Sequence, residues 1–252
     1  IILAAGQGTR MNSDLPKVLH PVSGRAMVHW VIDAARAAGA GAVRLVVGYR
    51  QDLVRNELVD EAGVEFVEQR EQLGTGHAVM QAAPLYRDAE EENVFVLAGD
   101  MPLLRGRTLR HLIDSHRAAG AAASVASGRL ADPTGYGRIV RDHAGRFLRI
   151  VEQKDATEAE RAIDEVNISC YCFHAPGLFD ALERTGTDNA QGEYYLTDAL
   201  EVLRKDGRVV QAEPIVPPDE VEGINTNDQL QRVDRALRAR AGGPSRPTGE
   251  EA

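Results

Sequence analysis

The stretch Ile1-Ile2-Leu3-Ala4-Ala5-Gly6-Gln7-Gly8-Thr9-Arg10-Met11 runs from a short apolar segment directly into two glycines. The apolar run is too short for a helix and reads as a buried strand. Two glycines immediately after such a strand let backbone N–H groups converge on an anion without side-chain obstruction. On the glycines alone, an ordinary tight turn fits equally well. Two standard nucleotide loops are excluded, because a dinucleotide fingerprint wants a third glycine where Met11 stands and a P-loop wants Gly-Lys-Ser/Thr. The further signal is Arg10 inside the loop, followed by Lys17 in Leu15-Pro16-Lys17-Val18-Leu19. An Arg and a Lys on a proline-stiffened segment can clamp several phosphates.

Outward from this loop, strand-like runs recur at Ile1–Ala5, Val43–Val47, Val64–Glu68 and Val94–Ala98. Helical patterns separate them at about Ala26–Ala38, Asp52–Glu61 and His77–Tyr86. Near-continuous apolar strands alternating with helices predict an α/β fold, Rossmann-like, with a mixed, mainly parallel sheet and helices on both faces. A helix over Thr108–Ala119, with Leu109, Leu112, Ile113 and His116 on one face, precedes a strand at Ala122–Ser127. Tyr136–Arg141 and Arg146–Glu152 flank Asp142-His143-Ala144-Gly145 and read as a β-hairpin. A buried strand at Val166–Phe173 is followed by helices near Pro176–Glu183 and Tyr195–Lys205 and a strand at Val209–Ala212. Thr226 and Gln229 form a capping-box pattern ahead of a helix through Arg240. Residues 1–240 therefore read as one domain, and 241–252 as a disordered tail or severed linker with nothing to bury.

Composition narrows the class. The 252 residues are 43% hydrophobic and 27% charged, as expected of a globular chain rather than a fibrous or disordered one. A net charge of -9 argues against a nucleic-acid partner. No apolar run reaches the ~20 residues of a membrane span, so no membrane association is expected. The chain opens on a strand pattern rather than a targeting leader, and a trimmed start is expected of a sequence without an initiating Met. Cys170 and Cys172 are expected on opposite faces of a strand and thus free, as in a reducing, cytoplasmic compartment.

Taken together, Leu-Ala-Ala-Gly-x-Gly-Thr-Arg-Met followed by Leu-Pro-Lys closely resembles the signature of the sugar-1-phosphate nucleotidyltransferases. Four further stretches match one subfamily: Gln72–Ala78, Gly99–Leu103, Asp132–Ile139 and Gln191–Asp198. Val221-Glu222-Gly223-Ile224-Asn225 completes six ordered motifs over about 225 residues. They look like the uridylyltransferase domain of the bacterial bifunctional N-acetylglucosamine-1-phosphate uridyltransferases. The resemblance implies a nucleotide-diphospho-sugar transferase fold with a small β-hairpin sugar-binding subregion. It also implies UTP and N-acetylglucosamine 1-phosphate as substrates, and Mg²⁺ as cofactor.

The residues admit the same reading with different specificity. Asp100 follows the fourth of the strands above, at the carboxyl edge where open α/β sheets hold ligands, although a helix cap or turn would also use an Asp there. A short carboxylate suits Mg²⁺, which takes few protein ligands besides substrate phosphates. The resemblance supplies Asn225 as second metal ligand and makes Arg10, Lys17 and Asp100 the catalytic set. It places the nucleotide against Leu3, Ala4, Ala5, Gly6, Gly8, Thr9, Gln69, Gly74 and Thr75. Gln69 ends the third of those strands and can offer both a donor and an acceptor to a pyrimidine, or be merely a solvated strand end. The amino sugar is matched to Gly137, Glu152 and Asn167, with Tyr195 and Thr197 nearby. His77 and His116 are expected to be structural. Asn167-Ile168-Ser169 departs from the family's Asn, small residue, Gly, which leaves N-acetyl selectivity less secure than uridylyl transfer.

Because the sugar phosphate is already an anionic nucleophile, positioning and electrostatics are expected to supply most of the catalysis. Rival readings are thymidylyl transfer to glucose 1-phosphate, guanylyl transfer to mannose 1-phosphate, and a nucleotide-sugar sensor without turnover. The family's C-terminal left-handed β-helix acetyltransferase domain has no counterpart here, since no hexapeptide repeats occur. A monomer or weak dimer is expected, with a trimer tied to that β-helix domain.

Overall fold

A computed structural model describes residues 1–89 and 92–242; of the tail expected over 241–252, Ala241 and Gly242 instead extend the last helix, and the rest lies outside the described residues. The central sheet follows from apolar runs buried on both faces. In β4 (Val43–Val47), Val43, Leu45 and Val47 join one core layer and Val46 the other. Around it the strands β1 (Ile2–Ala4), β5 (Val64–Glu68) and β6 (Asn93–Ala98) pair in parallel in the order β6-β1-β4-β5. The sheet continues through β10 (Glu165–His174), antiparallel to both β6 and β7 (Ala123–Arg129), and ends at β11 (Val210–Glu213), parallel to β7. The hairpin of β8 (Gly137–Arg141) and β9 (Phe147–Val151) attaches to the start of β10.

Helices cover both faces. α1 (Met27–Ala37), α4 (Gly106–Ala118) and α8 (Asn227–Gly242) pack one layer through Val28, Ile32, Leu109, Leu112 and Val233. α3 (Thr75–Met80), α6 (Ala175–Glu183) and α7 (Leu196–Lys205) pack the other through Val79, Leu178, Leu182 and Leu200. The capping box of α8 forms as expected: Gln229 Oε1 accepts from Thr226 N at 3.0 Å, and Thr226 Oγ1 from Gln229 N at 3.3 Å. Among the described residues no helix is long and apolar enough to cross a membrane.

Several expectations need correction. The helix expected over His77–Tyr86 stops at Met80, and Ala83–Tyr86 forms a separate 3-10 turn. Pro84 has no N–H to give the carbonyl of Met80, and its ring clashes there. α2 (Gln51–Glu57) is shorter than expected, because Glu61 turns away to bind His29 at 3.0 Å and Arg36 at 2.8 Å. Cys170 and Cys172 share one core layer while Tyr171 and Phe173 face the other, since strand side chains alternate with period two. Their expected placement on opposite faces is wrong, but both thiols are buried and free. The sequence pattern did not indicate three short elements. β2 (Pro21–Val22) and β3 (Arg25–Ala26) close over Ser23-Gly24, with φ 50 and 89. α5 (Glu158–Arg161) is opened by a Thr157/Glu160 capping box.

Candidate active site

In the order β6-β1-β4-β5 the chain leaves β1 toward β4 and later returns on the other side to make β6. The loops after β1 and β6 therefore diverge, which opens a crevice at the carboxyl ends of the strands. A cavity of about 510 Å³ lies there. The backbone from Leu3 to Gly6, with Arg10 and Lys17, forms one wall, and Asp100 and Asn225 another.

The charged groups meet at one focus. Lys17 Nζ pairs with Asp100 Oδ2 and donates to Asn225 Oδ1 at 2.7 Å, while an Arg10 guanidinium N–H donates to the same Asn225 oxygen at 2.7 Å. Lys17 and Asp100 side chains are 16% and 17% exposed, so the pair is shielded yet open to a ligand. Gly8 makes this arrangement possible. It takes φ 71, and a Cβ on it would come 2.9 Å from Lys17 Cβ. The loop bearing Asn225 is pinned by Ile224 N donating to Asp100 O at 3.0 Å.

Asp100 and Asn225 together offer a carboxylate and an amide carbonyl, both hard oxygens. An ammonium already bridges them. That donor set fits Mg²⁺.

On the side where the resemblance places the nucleotide, Gln69 follows β5 and is 3% exposed. Its Nε2 donates to Gly74 O at 3.1 Å and lies 3.1 Å from His77 Nδ1, so its donors are already engaged. Gly74 has φ 112, and its loop is locked against the segment before α7: Gly76 N donates to Tyr194 O and Tyr194 N to Leu73 O, both at 2.8 Å. Thr75 Oγ1 accepts from Leu196 N at 3.1 Å.

The opposite wall holds Gly137, Glu152 and Asn167, and their register explains the grouping. Gly137 pairs with Asn167 across β8 and β10, and a Cβ on Gly137 would meet the Glu152 carboxylate at 3.3–3.4 Å. Burial pushes the Glu152 carboxyl above its usual range, offset in part by Thr197 Oγ1 donating at 3.4 Å. Asn167 Nδ2 donates to Tyr171 OH at 2.7 Å and its Oδ1 accepts from Ser169 N at 3.0 Å. The β10 register breaks between Asn167 and Tyr171, and Ser169 takes a left-handed φ of 56. A family glycine at this position would adopt that conformation without strain.

Four expected residues do not line the cavity. Gly8 shapes the loop from behind, and Thr9 opens onto a neighbouring recess with Gln7 and Asn12. Thr197 acts through Glu152. Tyr195 is buried and its OH accepts from Gln191 Nε2 at 2.9 Å. Gln72, Tyr136 and Thr226 line the cavity without having been singled out. Gln72 and Tyr136 fall inside matched motifs, and Thr226 was read only as a cap. His116 is structural as expected: its ring sits 2.9 Å from Ser124 Oγ and 3.0 Å from Asn93 Oδ1, and burial lowers its pKa to about 4.

Comparison with known proteins agrees with this fold. A family described as the MobA-like NTP transferase domain matches residues 1–168. Bifunctional protein GlmU of Geobacter metallireducens is 51% identical over 240 residues, covering 95% of this chain and 50% of the relative. The Enterococcus faecalis protein of the same name is 44% identical over 95% of this chain and 52% of its own. The chain thus spans about half the length of these curated relatives. Among solved structures, UDP-glucose pyrophosphorylase complexed with UDP-glucose superposes with a TM-score of 0.76 at 18% identity, covering 95% and 97% of the two chains. HddC from Yersinia pseudotuberculosis gives 0.69 at 20%, over 94% and 97%. At such identities these two matches speak for the fold.

Proposed function

The chain belongs to the MobA-like NTP transferase family, and within it we propose Mg²⁺-dependent uridylyl transfer from UTP to N-acetylglucosamine 1-phosphate, giving UDP-N-acetylglucosamine and pyrophosphate. The observation that carries this reading is the focus at which Lys17 and Arg10 converge on the oxygens of Asp100 and Asn225, facing the Gly137–Glu152–Asn167 wall across one cavity. A focus of cations with one carboxylate suits the meeting of two anions; a simple pocket for a neutral sugar would not need it.

A phosphate oxygen of the sugar phosphate attacks the α-phosphorus of UTP, and the bond from that phosphorus to the bridging oxygen breaks as pyrophosphate leaves. No general base is needed, since the nucleophile is already ionised. Arg10, with the Gly6 amide on the same cavity wall, holds the β- and γ-phosphates. Lys17 offsets charge at the α-phosphate. Asp100 and Asn225 would hold Mg²⁺, which would supply charge neutralisation on the phosphates. Glu152 and Asn167 orient the sugar, with Thr197 holding the carboxylate of Glu152. Residues 1–240 act as one nucleotidyltransferase unit, in the cytoplasm, where buried free thiols such as Cys170 and Cys172 stay reduced.

The test is a panel of UTP, dTTP, CTP, GTP and ATP, each offered with N-acetylglucosamine 1-phosphate, glucose 1-phosphate and mannose 1-phosphate, with pyrophosphate release as readout. Preference for UTP and the N-acetylated sugar supports the reading. Preference for dTTP with glucose 1-phosphate, or GTP with mannose 1-phosphate, replaces it.

A further inference from the structure

We infer that His77 is a specificity-determining positioning residue: it holds the Gln69 amide so that only its carbonyl oxygen meets the base, making the pocket a reader of the pyrimidine imide N–H. This rests on the uridylyl-transfer reading above.

The argument begins with the orientation of one amide. The carbonyl of Gly74 can only accept, so the Gln69 atom 3.1 Å from it is the nitrogen. That nitrogen has two protons, and the second is directed at His77 Nδ1, also 3.1 Å away. With both donors engaged inside the protein, the group left for a ligand is Gln69 Oε1, which has no hydrogen-bond partner among the described residues. Gln69 also lines the cavity.

For His77 Nδ1 to accept, the neutral ring must carry its proton on Nε2. There a second amide competes: Gln81 Nε2 lies 3.1 Å from His77 Nε2 and 3.0 Å from His77 O. One neutral imidazole cannot accept at both nitrogens, so one amide must turn. Gln69 is buried and anchored by Gly74, whereas Gln81 is partly exposed and can swing its amide into solvent, giving up its contacts to His77 Nε2 and His77 O. Gln81 yields, and Gln69 keeps its orientation. The ring itself is backed by Tyr194, with centroids 6.3 Å apart.

The chemical consequence is a choice among pyrimidines. Uracil and thymine carry a proton on N3, whereas cytosine presents a lone pair there. A fixed acceptor pairs with the first two and opposes the third. Donor and acceptor at Gln69 are therefore not interchangeable, as the sequence alone allowed.

The experiment compares kcat/KM for UTP, dTTP and CTP in the wild type, His77→Ala and His77→Asn. In His77→Ala one of the two holds on the amide is gone, and it can turn about the remaining one. The UTP:CTP ratio should fall about tenfold or more. The UTP:dTTP ratio should stay, because both bases carry the imide N–H; a general packing defect would not make that distinction. His77→Asn places a carbonyl acceptor near the former Nδ1 and should restore most of the ratio. If alanine leaves the chain poorly folded, His77→Phe keeps a ring against Tyr194 without a nitrogen and should lose selectivity equally. An unchanged UTP:CTP ratio in a folded variant lacking the nitrogen, or no recovery in His77→Asn, overturns the inference alone. A wild type that prefers a purine nucleotide overturns the uridylyl reading and the inference with it.

Discussion

Gly74→Ala is a demanding test of the base-side wall, because its cost can be worked from local geometry. Gly74 has φ 112 and ψ 176, a region open to glycine but not to alanine, and occupying it costs about 1–3 kcal/mol. An added Cβ would also come 2.5 Å from Tyr194 O and 2.9 Å from Tyr194 N. Ordinary carbon contacts lie near 3.5 Å, so the two segments must part by roughly 1 Å. That movement stretches Gly76 N to Tyr194 O and Tyr194 N to Leu73 O, both 2.8 Å, and Leu196 N to Thr75 Oγ1 at 3.1 Å. Two or three hydrogen bonds at about 1 kcal/mol each bring the total to about 3–6 kcal/mol. At about 2–4 °C per kcal/mol for a chain of this size, Tm should drop by about 6–24 °C. The same shift carries the carbonyl that orients Gln69, so KM for UTP should rise about tenfold or more. Gly6→Ala is the control for stability: a Cβ there meets nothing within 4 Å, and Tm should move by no more than about 2 °C. Differential scanning calorimetry and initial-rate kinetics read both effects. A Gly74→Ala protein with wild-type Tm and KM would refute the interlock of this loop with Tyr194.

Asp100→Asn and Lys17→Ala should each cost about a hundredfold to a thousandfold in kcat. Raising Mg²⁺ should partly rescue only the former, because mass action offsets weaker metal affinity but cannot replace a missing protein charge; equal rescue of both would undo the division of roles. His116 has its pKa lowered to about 4 by burial, so the unfolded chain takes up a proton there first. Stability from this group is therefore present above pH ~6.5 and lost as pH falls toward about 4, by up to about 3 kcal/mol. Urea titrations at pH 7 and 4.5 in wild type and His116→Gln check this, and identical pH slopes would contradict it. Ser169→Gly should relieve the left-handed backbone at φ 56 and raise stability by up to about 1 kcal/mol in urea unfolding; a loss of stability would show that the Ser169 side chain contributes more than the strain costs.

Where local chemistry dominates, the sequence was read correctly. Valine-rich runs such as Val43–Val47 have no stable alternative to a doubly buried strand, and Asp100 just beyond β6 lands in the crevice that parallel topology requires. Pro84 was a visible breaker inside the pattern after His77, as was Ser23-Gly24 between short apolar pairs. The two cysteines follow the two-residue period of a strand, which puts Cys170 and Cys172 on one face rather than on opposite ones. Other features depend on partners distant in sequence and leave no local pattern. Lys17 meets Asp100 across 83 residues and Asn225 across 208. The amide of Gln69 is oriented by Gly74 and His77 only once the loop between them folds back. Ser169 shows its left-handed backbone only where β10 shifts register against β7.

The central claim is tested most directly by incubating this chain with UTP and N-acetylglucosamine 1-phosphate, with Mg²⁺ and with a chelator, and identifying the products by mass spectrometry. UDP-N-acetylglucosamine and pyrophosphate in equal amounts, dependent on Mg²⁺, is the predicted result. A folded chain that binds UTP yet forms no sugar nucleotide with Mg²⁺ present would contradict it.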